Sequence, residues 1–315
     1  MYPKNITNLG SVWKVSTGGR SFALKKVGTD SRRLLFNLSV MDYLWERGFH
    51  RMSRLIKNTD GRMYVECTDG LAFLTEWIEG RHVNFLNRFE LKKSVHLLAE
   101  MHLLGEGFDP PKNCHPRNDI GQWEEKWRRR IEDLEKMAVL SLDGRTSFDV
   151  EFQKIYPFSI KDAWEALDAL SLIGYGSYCL KLQNKRPICH RDFVYHNIIY
   201  QEPNVYLIDF DYCVQDSRVT DLARFVRTCG KRYNWKEGLA EEIVYWYHRY
   251  YPLSLREQEL LLAVLKFPHE IWRAGHRWYF SSRRPRELVE LIKQELSCRG
   301  EKIQVLRRIR EGFTP

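Results

Sequence analysis

The fold is decided by residues 189–197, which read CHRDFVYHN, and by residues 207–211, which read LIDFD. Alternating apolar residues and a central turn predict a short β-hairpin over residues 198–208. Because a hairpin folds back on itself, we expect Asp209 to return close to Asn197. A carboxylate oxygen and an amide oxygen then converge on one point, and Mg²⁺ prefers such hard oxygen donors together with phosphate oxygens. The two stretches therefore predict a magnesium site held by Asn197 and Asp209.

A second motif, FALK, occupies Phe22–Lys25 inside a predicted strand. Side chains alternate along a strand, so Ala23 and Lys25 share one face and Lys26 lies on the other. The motif resembles the VAIK strand of kinases. This resemblance implies that the small Ala23 leaves room for an adenine ring and that Lys25 reaches the α- and β-phosphates of a nucleotide.

A third motif, LTEWIEG at residues 74–80, lies where the fifth predicted strand runs into a helical region. In the kinase fold this place is the hinge, whose backbone N–H and C=O groups meet the edge of the adenine. The resemblance therefore assigns nucleotide binding to the backbone from Glu76 to Ile78. An ordinary strand end fits the same residues, and both interpretations stay open at this point.

The HRDxxxxN pattern of residues 190–197 resembles the catalytic loop of the protein-kinase fold. That resemblance implies ATP as co-substrate, with Asn197 and Asp209 as the Mg²⁺ ligands. It also implies that Asp192 accepts a proton from the attacking hydroxyl or orients that hydroxyl. His190 is expected to hold the loop and not to act as an acid or a base.

The sequence VTDLA at residues 219–223 begins ten residues after Asp209. A similar DLA occurs in the aminoglycoside and choline kinase group, where an aspartate equivalent to Asp221 braces the catalytic loop by hydrogen bonds. Protein kinases have a longer activation segment and an APE motif here, and this chain has neither. Over nearly its full length, the chain resembles the aminoglycoside phosphotransferase-like superfamily. Within that superfamily it is similar to the CotS-type group of spore-coat proteins, a resemblance that implies a place in the bacterial spore coat.

The resemblance implies an α+β, two-lobed protein-kinase-like fold, with a small antiparallel β lobe and a larger, mainly helical lobe. Residues 1–78 read as two strands, a helix from Ser31 to Arg47 and three strands, and residues 79–315 read as mostly helical. Gly48 is the expected C-terminal glycine of the first helix. In the helical part, Ser159–Leu182 is expected to form one continuous helix.

One departure concerns the partner of Lys25. Kinases pair this lysine with a glutamate on the following helix, but the helix from Ser31 has no glutamate in its middle. Asp42 is the candidate substitute, and Glu46 lies late in the helix. Without a partner Lys25 can adopt other rotamers, and the positioning of phosphate would suffer.

Two functions therefore remain open. The first is an active phosphotransferase that moves the γ-phosphoryl group of Mg·ATP to a hydroxyl of a small molecule, as the intact set of Asp192, Asn197 and Asp209 favours. The second is a kinase-like protein with little or no turnover, whose role is assembly with other coat proteins. The missing helix glutamate and the basic surface favour this alternative.

Composition limits the remaining classes. The chain has 315 residues, of which 43% are hydrophobic and 29% charged, as in ordinary globular proteins. It has no run of the roughly 20 apolar residues needed to span a bilayer, and its N-terminus does not resemble a signal peptide. We therefore expect no membrane partner and expect synthesis in the cytoplasm. The net charge is +9, but no nucleic-acid motif accompanies it, so nucleic acid is not an expected partner. The basic group Arg273, His276 and Arg277 favours a neutral or anionic acceptor.

Overall fold

The computed structural model describes residues 3–236 and 238–313, and the chain divides into two compact units. The first unit comprises the residues up to Asn118 together with Asn184–Arg224 and Arg249–Tyr251. The second unit comprises Asp119–Gln183, Phe225–His248 and the residues from Pro252 onward. The division of the chain after residue 78 stays a prediction from the sequence.

Strands and helices both contribute to the described chain. The strands are β1 (Asn5–Asn8), β2 (Val12–Ser16), β3 (Ser21–Val27), β4 (Leu55–Ile56), β5 (Val65–Cys67), β6 (Gly70–Glu76), β7 (Arg81–His82), β8 (Ile188–Cys189), β9 (Ile198–Gln201), β10 (Asn204–Leu207) and β11 (Val214–Gln215). The helices are α1 (Ser31–Glu46), α2 (Arg88–Leu104), α3 (Trp123–Ser141), α4 (Ser147–Leu172), α5 (Tyr175–Lys185), α6 (Val219–Arg232), α7 (Leu239–Tyr250), α8 (Leu255–Lys266), α9 (His269–Phe280), α10 (Glu287–Ser297) and α11 (Arg299–Glu311). The predicted α+β class is confirmed.

The main sheet of the first unit is antiparallel and has the order β1-β2-β3-β6-β4, with β5 also paired to β6. In its centre, Ala23 lies opposite Thr75 and Lys25 lies opposite Phe73. The alternation of side chains along β3 therefore places Ala23 and Lys25 on the same face. The α1 helix follows β3 and is succeeded by Gly48, whose φ of +93° is the left-handed conformation expected after a helix end.

A second set of short strands positions the CHRDFVYHN stretch. The strands β9 and β10 form an antiparallel hairpin in which Ile198 lies opposite Leu207, and β7 adds to it alongside β9. Beyond the hairpin, the N–H of Ile208 donates to the backbone oxygen of Asn197 at 3.0 Å. The hairpin predicted over residues 198–208 is confirmed, and it returns the chain to the point where β9 began.

In the second unit, the single helix predicted over Ser159–Leu182 is wrong. The α4 helix already begins at Ser147, where Thr146 and Asp149 form a reciprocal capping box. It ends at Leu172, because Gly174 adopts a φ of +66° and the chain starts the separate helix α5. Gly174 lies inside the predicted helix, whereas its left-handed backbone terminates α4.

Aromatic side chains fill the core of the second unit. Phe148 on α4 stacks on Trp278 of α9 at 4.5 Å between ring centroids, and Trp127 on α3 stacks on Phe267 at 4.6 Å. Stacked pairs of this kind contribute beyond the area they bury. Among the described helices, none combines the length and the apolar character needed to cross a bilayer.

Candidate active site

A cavity of about 450 Å³ in the first unit collects most of the residues predicted to form the site. Its wall includes Ala23, Lys25, Glu76, Ile78, Asn197 and Asp209. Asp192 is the predicted site residue that does not line this cavity, and it is connected to the wall through Asn197. The sheet, the loop after β6 and the end of the β9–β10 hairpin therefore surround one space.

Lys25 lies between two carboxylates at the end of this hairpin. Its Nζ is 2.7 Å from Asp209 Oδ1 and 2.8 Å from Asp211 Oδ2, and its side chain is only 16% exposed. Burial opposes the charge of the ammonium, but the two carboxylates outweigh burial and raise the pKa of Lys25. Burial also raises the pKa of the Asp211 carboxyl, although Lys25 acts against this. The lysine is therefore a firmly charged ammonium facing the cavity.

Asp192 and Asn197 are joined by hydrogen bonds in the loop before β9. The Nδ2 of Asn197 donates to Asp192 Oδ2 at 2.8 Å and to the backbone oxygen of Asp192 at 2.9 Å. The other carboxylate oxygen of Asp192, Oδ1, accepts from Arg224 Nη2 at 2.6 Å. Both Asn197 bonds use the amide nitrogen, so neither of them engages the amide oxygen.

The buried Asp221 on α6 braces this loop. Its two oxygens accept the N–H of His190 at 2.6 Å and the N–H of Arg191 at 2.8 Å, and His102 Nε2 lies 3.1 Å away. Burial alone would raise the pKa of Asp221, but the hydrogen bonds and the neighbouring histidines hold it below its usual range. The hydrogen bonds predicted for Asp221 are present, and they fix the backbone from which Asp192 projects.

Backbone strain marks the same region. Arg191 and Asp209 have φ values of +66° and +65°, a conformation that non-glycine residues adopt at a cost on the order of 1–3 kcal/mol. Strain of this kind persists only where the surroundings over-determine the conformation, as the Asp221 bonds do for Arg191. His190 is fully buried, and its Nε2 lies 3.2 Å from the backbone oxygen of Ile208, in keeping with the structural role expected for it.

The backbone N–H groups at the end of β6 differ in their partners. The N–H of Glu76 donates to Arg54 O at 2.8 Å, and the N–H of Trp77 donates to Ser21 O at 3.0 Å. Among the described residues, the N–H of Ile78 makes no such bond. Ile78 lines the cavity, where the hinge hypothesis places an adenine edge.

Gly80 ends this segment at a close approach to β9. Its φ is +142°, and a Cβ built on it would lie 2.4 Å from the backbone oxygen of Tyr200. Because a backbone oxygen cannot rotate away, we expect Gly80→Ala to lower the free energy of unfolding by about 1–3 kcal/mol, measured by denaturant titration. Gly61→Ala is the matched control, since Gly61 has a φ of +77° but nothing within 4 Å of its Cβ position. Equal losses in the two variants would show that the contact with β9 is unimportant.

The α1 helix does not supply a carboxylate to Lys25. Asp42, the candidate from the sequence, pairs instead with Lys57 at 2.8 Å, and Glu46 is exposed at the helix end. The α1 residue that reaches the cavity wall with a polar side chain is Asn37, whose Nδ2 donates to the backbone oxygen of Asp211 at 2.8 Å. The charge that balances Lys25 therefore comes from Asp209 and Asp211.

Sequence reasoning missed three polar residues of the site: Asp211, Arg224 and Asn37. Asp211 was present in the LIDFD stretch, and strand-like alternation with Asp209 was the available signal. Arg224 lies three positions after Asp221, close to one helical turn further along α6. The signal for Asn37 was its helical spacing, since it lies three residues after Leu34 and four before Met41 and therefore on the apolar face of α1.

The donor set suits a divalent cation. Two carboxylates, Asp209 and Asp211, and the amide Asn197 contribute to one wall of the cavity, and these are the hard oxygen ligands that Mg²⁺ takes alongside phosphate oxygens. The ammonium of Lys25 at 2.7–2.8 Å from both carboxylates shows that they already stabilise positive charge at this point. The residues present therefore fit the predicted metal.

Comparison with known families gives a match across most of the chain. The family described as "Spore coat putative kinase YutH" matches residues 1–309. The chain is also similar to spore coat protein S of Bacillus subtilis (strain 168), with 21% identity over 276 residues, covering 87% of this chain and 78% of that protein.

Solved structures share the fold. An aminoglycoside phosphotransferase from Alicyclobacillus acidocaldarius has a TM-score of 0.85 at 21% identity, covering 98% of this chain and 92% of that one. An amicoumacin kinase in complex with AMP-PNP and Ca²⁺ has a TM-score of 0.60 at 13% identity, covering 98% and 89%. These similarities confirm the predicted protein-kinase-like phosphotransferase fold.

Proposed function

Because the chain belongs to the YutH family of spore coat kinase-like proteins, we propose that it binds Mg·ATP and transfers phosphate to a small-molecule hydroxyl in the spore coat. One observation carries this proposal. Lys25, Asp209, Asp211 and Asn197 line one cavity, and Asn197 is hydrogen-bonded to Asp192. Groups that bind phosphate and metal are thereby linked to a carboxylate suited to an attacking hydroxyl.

In this proposal, the chain acts mainly by positioning and charge. Ala23 and the N–H of Ile78 meet the adenine, and Lys25 binds the phosphate oxygens. Asn197, Asp209 and Asp211 hold Mg²⁺, which when bound would neutralise charge on the phosphates. Asp192 orients the acceptor hydroxyl or receives its proton, with its own carboxylate fixed by Asn197 and Arg224.

The surroundings of Asp192 support the class of acceptor expected from the sequence. Arg224 places a guanidinium 2.6 Å from Asp192 Oδ1, with its side chain 36% exposed. Because Arg224 offsets the charge of the Asp192 carboxylate, this place offers a positively charged substrate little net attraction and tolerates a neutral or anionic one. The acceptor is therefore proposed to be a neutral or anionic compound with a free hydroxyl.

A second candidate function is assembly of the coat without turnover. It is favoured by the absence of an α1 carboxylate near Lys25 and by the ion pairs that Lys25 makes with the proposed metal ligands. In that case other coat proteins would be the partners, and the cavity would be inherited scaffold.

Calorimetric titration with Mg·ATP separates the two functions. We expect saturable binding that requires Mg²⁺ and that is weakened by at least about tenfold in Asp209→Asn, since a charged metal ligand is lost. Asparagine tolerates the left-handed backbone of Asp209, so the variant should fold. Asp60→Asn, in an exposed turn, is the matched control. A folded wild-type protein that binds no ATP at millimolar concentration would refute the proposal and leave assembly as the function.

A further inference from the structure

Asn37 is the α1 residue whose side-chain amide belongs to the cavity wall. It is only 7% exposed, and its Nδ2 donates to the backbone oxygen of Asp211 at 2.8 Å. Because a backbone oxygen can only accept, this bond determines which side of the amide is nitrogen and which is oxygen.

The oxygen side of this amide has no donor. Asn37 Oδ1 is buried and makes no hydrogen bond within the described residues. Buried acceptors without a donor are unfavourable, and native structures rarely keep them without a reason. Asn37 lines the same cavity as Lys25, whose ammonium is one of the side-chain donors of that wall.

The present partners of Lys25 are not available to it in every state. Its ammonium pairs with Asp209 and Asp211, which are also the carboxylates suited to a divalent cation. An ammonium and a metal ion that use the same oxygens repel each other strongly in a partly buried site. Lys25 therefore needs other acceptors for the three N–H donors of its ammonium when a metal–nucleotide complex binds.

We propose that Asn37 is the positioning residue of Lys25, with Oδ1 accepting a hydrogen bond from the ammonium once a metal–nucleotide complex occupies Asp209 and Asp211. The inference rests on the proposed nucleotide-binding function. It accounts for both unusual features of the site, the absence of an α1 glutamate and the buried acceptor without a donor. Because the amide is neutral, Lys25 keeps its full charge toward the phosphates, whereas a glutamate partner would offset part of it.

A double-mutant cycle tests this role. Asn37→Leu removes the acceptor with little change of shape, and we expect it to weaken Mg·ATP binding by about tenfold in calorimetry. In a Lys25→Met background the same substitution should change affinity by less than about twofold, because the donor is absent. In the nucleotide-free protein, denaturant titration should show no coupling between the two positions, since Lys25 then pairs with the carboxylates.

Ser39→Ala is the matched control, because Ser39 is another buried α1 residue whose Oγ lacks a partner in the described chain, and it does not line the cavity. It should leave Mg·ATP affinity unchanged. Equal loss from Asn37→Leu in both backgrounds would overturn the inference and assign Asn37 only to anchoring Asp211. A wild-type protein that does not bind Mg·ATP would instead refute the proposed function, and the inference with it.

Discussion

Asp192→Asn is expected to lower the rate of phosphoryl transfer by about 10²–10⁴-fold while changing Mg·ATP affinity by less than about threefold. The carboxylate is the group of the loop that can orient a hydroxyl or take its proton. It does not line the nucleotide cavity, so the affinity for the nucleotide should be nearly independent of it.

The local contacts explain why the amide is a poor substitute. Asp192 accepts from Asn197 on one oxygen and from Arg224 on the other. An asparagine has only one oxygen, so its NH₂ group must face one of these two donors. The side chain would then both lose basicity and turn from its present orientation.

The rate is measured as ADP formed in steady state, with an acceptor found by screening hydroxyl compounds or with water as the acceptor in its absence. Asp60→Asn again serves as the control, since it removes a carboxylate from an exposed turn of the same unit. A variant at position 192 that retained the wild-type rate would remove Asp192 from the mechanism. A loss of Mg·ATP affinity as large as the loss of rate would instead indicate a misfolded loop.

Local sequence patterns predicted the fold where geometry follows from neighbouring residues. The β9–β10 hairpin depends on a turn between two alternating segments, and α1 depends on a repeated apolar spacing that ends at Gly48. Both were predictable because period and turn chemistry act over a few residues. The prediction of one helix over Ser159–Leu182 was wrong because the sequence alone does not distinguish a glycine within a helix from one that ends it. The left-handed φ of Gly174 is known only from the structure.

The contents of the site were only partly predictable for a different reason. Asp209 and Asn197 could be paired because a hairpin of defined length joins them. Lys25 forms an ion pair with Asp211, which is 186 residues further along the chain. No pattern in the neighbouring residues indicates that Asp211, and not Asp42, is the partner of Lys25. The helical spacing of Asn37 could place it on the buried face of α1, but its unpaired oxygen is visible only in the three-dimensional packing.

Glu270→Gln is expected to lower the free energy of unfolding by about 3 kcal/mol at pH 7, a loss that should diminish as the pH is lowered. Burial alone would raise the pKa of Glu270, but Lys231, Arg273 and Arg227 outweigh it and lower the pKa to about 2. The closest of these ion pairs is 2.5 Å, from Arg273 Nη2, and Lys231 Nζ lies at 2.7 Å. The carboxyl is only 10% exposed, so solvent screens these charges weakly.

The sign of the pH dependence follows from the lowered pKa. The unfolded chain binds a proton at Glu270 near its ordinary value of 4.5, whereas the folded protein does so near pH 2. The stabilisation is therefore complete above about pH 5 and is lost as the pH falls toward 2.

Denaturant titrations of wild type and Glu270→Gln at pH 7, 5 and 3 should show a difference in the free energy of unfolding that shrinks only between pH 5 and pH 3. Glu287→Gln, at an exposed position without an ion pair in the described chain, should show no such difference. A gap between wild type and Glu270→Gln that stayed constant down to pH 3 would mean that packing, and not the charge held by the three cations, accounts for the contribution of Glu270.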